Sequence, residues 1–309
     1  MKAAVTGASG FVGRAVLHAL GQAGHEAVAL VRSAPPGTGA RAIGDLADGP
    51  IDPAVLGAAD TVIHLAARTH VTDETMSDAM AAYRATNVTG TGHLVDAAVA
   101  AGVTRFVYMS SVKAVGERTI AGRPMTPETT PRPEDPYGIT KLEAEALVRE
   151  RCNAAGIAWT ILRPPLVYGP GVKANFDRLI ALVERRLPMP LASIRNRRSI
   201  VYVDNLADAT VAAAVAPGTR NRILTLCDDT LSTPDLIRAV AEALGIKPVL
   251  LPFPPALLTL AGQITGRTAM VDRLAGSLEI DPRSSMAAAD WQPQIDTHQG
   301  LRRTINARR

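Results

Sequence analysis

The chain has 309 residues, 47% of them hydrophobic and 20% charged; that is globular composition with material for a large core, and it excludes disorder as the main state. Net charge is +4 and the pI near 9.3, yet no basic stripe is interleaved with aromatics, which make up 4% of the chain, so nucleic acid is not the expected partner. No apolar run is long enough to cross a bilayer, Cys152 and Cys227 make no metal or disulfide pattern, and Met1 and Lys2 lead straight into a strand without a signal peptide; the expectation is a reduced, cytoplasmic protein with no metal site.

Residues 2–6 predict a short apolar strand, followed by a glycine turn and a helix over 11–23. Further strands are expected at 26–31, 61–65 and 105–110, with the clearest intervening helix over 80–101. Residues 136–156 carry another helix and 157–163 another strand. Continuous apolar strands joined by helices imply a parallel sheet covered on both faces. Beyond Arg163 the pattern dissolves into Pro/Gly-rich loops. Order is expected to return with a strand at 200–203, a helix after Asp204, a strand at 222–226 and a helix over 232–245, capped by Ser or Thr and stopped by glycine.

The first strand runs into Gly7-Ala8-Ser9-Gly10-Phe11-Val12-Gly13. Glycines here permit a tight turn, let backbone N–H groups approach a pyrophosphate, and bring the helix N-terminus to face it. The spacing is G-x-x-G-x-x-G, a weak signal alone but a specific one between a first strand and an amphipathic helix. Gly7, Ser9, Gly10, Phe11 and Val12 are therefore candidate dinucleotide contacts. An NAD site wants an acid about 20 positions further on, at the end of the second strand. That strand ends Leu30-Val31-Arg32-Ser33, and Arg32 suits a 2′-phosphate, which favours NADP over NAD; stacking on adenine or pointing to solvent are the alternatives. Asp45 and Leu46 are placed to reach the adenine edge, although Asp45 serves equally as a turn residue.

Tyr137 and Lys141 stand four residues apart, on one face of the helix expected there. A phenol near pKa 10 is a poor acid–base group at neutral pH; lowering it by about 3 units takes about 4 kcal/mol, which a nearby ammonium and a positive nicotinamide ring can supply. Lys141 is one of five lysines in a chain with 28 arginines, and a compact ammonium of tunable pKa is a reason for that choice. Ser110 and Ser111 close the fourth strand, where open α/β sheets bind ligands, and offer a hydroxyl to a reacting oxygen; a turn role is the bland alternative.

Together these segments resemble the extended short-chain dehydrogenase/reductase family, in particular its nucleotide-sugar epimerases and keto-reductases. The carriers are the glycine loop, His64-Leu65-Ala66-Ala67, Asn87-Val88-Thr89-Gly90-Thr91, Ser110-Ser111, Tyr137 to Lys141, Leu162 to Gly171, Asn175, and Arg198 to Asp204. The resemblance implies an α/β fold, a Rossmann-type doubly wound parallel sheet with a smaller α/β C-terminal substrate lobe. Residues 1–165 with 199–226 would bind the dinucleotide, and 166–198 with 227–309 the nucleotide sugar. It implies a catalytic triad of Ser111, Tyr137 and Lys141, counting back from Gly116. Leu65, Ala66, Ala67 and Pro164 would line the cofactor cleft and Asn87 would order it, while Asn175, Arg198 and Arg273 would hold the diphosphate.

The expected activity is an NAD(P)-dependent nucleotide-sugar 4-epimerase, with a UDP-sugar as the favoured substrate. An NADPH-dependent UDP-4-keto-sugar 4-reductase shares the machinery and is favoured by Arg32. A reductase of non-nucleotide carbonyls and a non-catalytic NADP-binding regulatory or structural protein stay open as well. The dehydratase branch carries an Asp-Glu pair just after the catalytic hydroxyl; Val112 and Lys113 stand here instead, so dehydration is not expected. Homodimerisation through the two long helices is a further implication of the resemblance.

Overall fold

The first half of the chain alternates as its apolar runs require: β1 (Lys2–Thr6), α1 (Phe11–Gln22), β2 (Glu26–Val31), β3 (Arg41–Ala42), β4 (Thr61–His64), α2 (Met76–Arg84), α3 (Gly90–Ala100), β5 (Arg105–Met109), α4 (Pro136–Ala155) and β6 (Ala158–Arg163). The second half adds β7 (Leu166–Tyr168), α5 (Asn175–Glu184), β8 (Arg198–Tyr202), α6 (Val203–Val215), β9 (Arg222–Thr225), β10 (Asp229–Leu231) and α7 (Thr233–Leu244). Four helices follow: α8 (Pro255–Ile264), α9 (Thr268–Ala275), α10 (Arg283–Ala289) and α11 (Thr297–Asn306). This computed structural model describes residues 1–69, 76–120, 122–173, 175–264, 266 and 268–308.

Seven strands form one parallel sheet in the order β3-β2-β1-β4-β5-β6-β9. All residues of β4 and β5 are buried, which is why these strands read as unbroken apolar runs rather than alternating ones. Helices α1 and α6 cover one face through Val16, Leu20, Leu206 and Val211. Helices α3 and α4 cover the other through Leu94, Val95, Ala98, Ala144 and Val148. The chain order reverses between β1 and β4, and in such sheets ligands bind beyond the carboxyl ends of the strands at that point.

A second sheet, β10-β8-β7, pairs β8 parallel to β7 and antiparallel to β10. It packs with α5, α7 and α11 in a core that includes Tyr168, Phe176, Ile180, Tyr202, Ile237 and Leu301. Phe11 and Val12 of α1 also pack there, so the helix behind the glycine loop touches both lobes. Two segments differ from the sequence expectation, and one region lay beyond it. The helix expected over 80–101 is α2 and α3 joined by a π turn, Ala85–Thr89. The segment after Arg163 is not all loop but contains β7 and α5. The C-terminal region past α7 is helical. β7 and β10 are each three residues long, too short to show a period, and they exist because β8 pairs with both.

One buried ion pair ties the sheet to α4. Arg163, ending β6, and Glu145 of α4 are each 2% exposed, with Nε–Oε1 at 3.0 Å and Nη2–Oε2 at 2.6 Å. Removing one partner strands a charge in a low-dielectric interior. Glu145→Ala is therefore expected to cost about 3–5 kcal/mol, measured as a lowered midpoint in urea unfolding.

Candidate active site

The turn after β1 and the turn after β4 lie against each other. Gly7 sits at φ +66°, and a Cβ there would lie 2.8 Å from the Ala66 nitrogen; a Cβ on Gly13 would lie 2.1 Å from the Gly7 oxygen. Only glycine permits this approach. At the start of α1, Gly10 has no side-chain cap and the first turn carries no acid, so the helix dipole and its leading N–H groups face outward unneutralised. Ser9 and Gly10 are exposed, and Leu65, Ala66 and Ala67 are half-buried beside them. The cradle fits a dinucleotide pyrophosphate. Asn87, on the π turn, accepts the Arg68 N–H at 2.8 Å and donates to the Arg68 carbonyl and to Thr140 Oγ1, each at 3.2 Å. It thereby clamps the segment after Ala67 to α4. Pro164 is buried after β6, its carbonyl accepting from Val112 N–H at 3.0 Å.

Arg32 is not a lone cation at the end of β2. Its Nε lies 3.4 Å from Asp45 Oδ2, and Asp45 Oδ1 accepts the Ala47 N–H at 3.0 Å. The carboxylate missing from β2 is supplied by the loop after β3, from a position that strand-end spacing does not reveal. Leu46 is buried where α3 begins, and a Cβ on Gly90 would come within 2.6 Å of its Cβ.

Asp135 caps α4 by accepting the Gly138 N–H at 2.6 Å, and Pro136 opens its first turn. A Cβ on Gly138 would lie 2.4 Å from the Lys113 oxygen, so glycine lets the start of α4 press against the 3-10 turn Val112–Ala114 that follows Ser111. The Ser111 hydroxyl is near enough to pull the Tyr137 pKa down, while Ser110 donates to Glu145 Oε1 at 2.5 Å. Of the two serines, Ser111 stands at the tyrosine. Lys113 Nζ holds Asp135 and, at 3.2 Å, Glu117; Val112 is buried, and no acid occupies either position.

The acid phenol expected of Tyr137 is not what the protein's own groups produce. Desolvation pushes its pKa up, the Asp135 and Tyr83 charges push the same way, and only the Ser111 hydroxyl pulls it down. Lys141 Nζ lies 6.0 Å from the Tyr137 ring centroid and bonds instead to Tyr108 Oη at 3.1 Å and the Met109 carbonyl at 2.7 Å. Burial lowers Lys141 to about 7, against an opposing pull from Glu145. Lowering the phenol thus takes a further positive group beside it.

Arg198 begins β8 and donates to the Gly276 carbonyl at 3.1 Å; burial lowers its pKa while the facing Glu117 raises it. Asn175 opens α5 and Arg273 lies on α9, but both side chains lie outside the described residues. Sequence reading missed Glu145, Tyr108, His64 and Thr91 as parts of the site's support. Glu145 had a signal, since it repeats the four-residue step from Tyr137 to Lys141.

A lysine whose folded pKa is depressed destabilises the fold fully below the folded value, and the penalty disappears as pH rises to the unfolded value near 10.4. Lys141→Met is accordingly expected to raise the melting temperature by several degrees at pH 7, with the gain fading towards pH 10, as followed by calorimetry.

Residues 3–226 match the model of the NAD dependent epimerase/dehydratase family. Over 248 residues the chain is 37% identical to UDP-glucose 4-epimerase of Vibrio cholerae, covering 80% of this chain and 76% of that one. It is 33% identical to 2-alkyl-3-oxoalkanoate reductase of Stenotrophomonas maltophilia over 71% of this chain and 67% of the relative. Among solved structures, MoeE5 in complex with UDP-glucose and NAD superposes with a TM-score of 0.77 at 27% identity, covering 100% of this chain and 98% of that one.

Proposed function

The chain belongs to the NAD dependent epimerase/dehydratase family, and on that premise we propose that it is a nucleotide-sugar 4-epimerase in which Tyr137, Ser111 and Lys141 are the catalytic residues. The observation that carries this reading is the buried Tyr137 and Lys141 one turn apart on α4, whose start presses against the turn after Ser111, beyond the glycine cradle. That cradle would hold the dinucleotide by its pyrophosphate, and the bound dinucleotide would supply hydride exchange at sugar C4. Tyr137 exchanges the proton of the 4-oxygen, and Ser111 aligns that oxygen by hydrogen bonding. Lys141 supplies positive charge beside the phenol. Gly7, Ser9, Gly10, Phe11 and Val12 receive the pyrophosphate; Leu65, Ala66, Ala67 and Pro164 wall the cleft.

A UDP-sugar is the proposed substrate, because the relatives named for their sugar nucleotides are UDP-sugar proteins. Arg198, at the start of β8, is proposed to take the diphosphate together with Asn175 and Arg273. A keto-reductase reading drew its support from Arg32 as a free cation for NADPH, and the Asp45 ion pair weakens that support.

Incubated with UDP-glucose, the purified protein is expected to form the C4 epimer without net consumption of dinucleotide. Tyr137→Phe should reduce that rate by about two to four orders of magnitude, the usual size of a general acid–base contribution, with dinucleotide binding retained. Loss of product with a 4-keto sugar and stoichiometric NADPH oxidation would instead place the protein among the reductases. For the cofactor, we infer that Asp45 occupies Arg32 and so favours NAD. Asp45→Asn frees the guanidinium, and its expected effect is tighter binding of NADP relative to NAD, read by titration calorimetry with each dinucleotide.

A further inference from the structure

Helix α8 carries no charged residue, and none stands anywhere between Lys247 and Arg267, the longest uncharged run in the chain. A helix without a charged face is ordinarily covered, yet α8 meets the core on one side only. Leu258 packs into the substrate lobe. Leu257, Leu260 and Ile264 recur at i, i+3 and i+7 as a separate stripe, and they are 48%, 51% and 77% exposed. The neighbouring chain extends this patch. The Met189 N–H donates to the Val249 carbonyl and the Leu251 N–H to the Met189 carbonyl, each at 2.9 Å, and the Ala192 N–H donates to the Leu251 carbonyl at 3.1 Å. The Phe253 N–H reaches Ser193 Oγ at 3.2 Å. This pairing brings exposed Leu187 close to exposed Val249 and Leu251 and leads straight into α8.

The rim of the patch is basic. Arg185 and Arg186 stand just before Leu187, Arg195 follows the Ser193 contact, and Lys247 precedes Val249. All four are exposed, and among the described residues none pairs with a carboxylate. Glu184 is the only acid in residues 182–195 and 246–266, and Glu242 on α7 lies 3.6 Å from His298. An uncompensated basic rim around an apolar centre complements an anionic bilayer surface, where headgroup phosphates meet the cations and acyl chains meet the leucines. A second copy of the chain fits this face less well. A two-fold interface sets the same patch against itself, which brings the basic rims together with Glu184 alone to answer them.

We propose that this face docks the protein onto an anionic lipid bilayer, with α8 lying in the headgroup layer. Leu257, Leu260 and Ile264 enter the acyl boundary. Arg185, Arg186, Arg195 and Lys247 lie against lipid phosphates, their stems along the apolar surface. At 10 residues, α8 is about 15 Å long, half the thickness of a hydrocarbon core. No helix among the described residues is long and apolar enough to cross a membrane, so the contact is peripheral. It combines buried apolar area with charge attraction, and is therefore reversible and weakened by salt. The inference goes beyond the epimerase reading and does not rest on it.

The purified protein is expected to sediment with vesicles of equal parts phosphatidylglycerol and phosphatidylcholine, to bind vesicles of phosphatidylcholine alone more weakly, and to be released by high salt. Leu260→Asp places a charge on the exposed stripe and should abolish sedimentation while leaving the melting temperature unchanged. Replacing Arg185 and Arg186 together by Gln should weaken binding to the mixed vesicles by about 20-fold, roughly fivefold for each cation, and flatten its salt dependence. The double variant carries the test where Leu260→Asp fails to fold. Absence of sedimentation with the mixed vesicles overturns the proposal, as does binding that both variants leave unchanged. A native protein that elutes from size exclusion as a dimer, and as a monomer once Leu260→Asp is introduced, would assign the face to a second copy and overturn it as well. Vesicle binding is read without substrate, so absence of UDP-sugar turnover would overturn the functional reading and leave this measurement intact.

Discussion

A buried ammonium at the carboxyl edge of a parallel sheet constrains everything near it. Lys141 is 2% exposed, and a cation placed there has to be compensated by oriented acceptors or lose its proton. The Met109 carbonyl at the end of β5 and the Tyr108 oxygen provide those acceptors, and both positions are set by strand register. A second buried row runs alongside: His64 on β4 lies 3.0 Å from Thr91 Oγ1 on α3 and 2.6 Å from Thr6 Oγ1, which also takes the Leu65 N–H after β4.

The phenol of Tyr137 shows how such a site divides its labour. The protein raises its pKa through desolvation and the capping carboxylate of Asp135, although a base is needed. A phenol kept neutral by its surroundings becomes acidic when positive charge is brought to it. Burial meanwhile lowers Lys141, one turn further along α4, to about 7.

Much of this was legible in the sequence where backbone geometry leaves little choice. Gly7 and Gly13 announced a close approach, and the structure has backbone within 3 Å of where their side chains would be. The four-residue step from Tyr137 to Lys141 placed both on one helix, as the structure has them. What stayed hidden depends on contacts between distant segments. The Arg32–Asp45 pair spans a loop whose path no local pattern predicts. Tyr108 looked like an ordinary strand residue, since burial on both faces erases the alternation that would have marked it. The π turn holding Asn87 reads as continuous helix, because one extra residue per turn barely disturbs the apolar period.

The positions after Ser111 carry no acid. The dehydratase branch of the family that this sequence resembles has acids there, and this chain departs from it. Here Val112 is packed away and Lys113 reaches back to Asp135 and Glu117. Asp135 is the cap of α4, so Lys113 anchors the helix that carries Tyr137 and Lys141 rather than acting on substrate. Glu117 in turn faces Arg198 across the boundary between the lobes. Lys113 thus ties the start of α4 to the turn after Ser111.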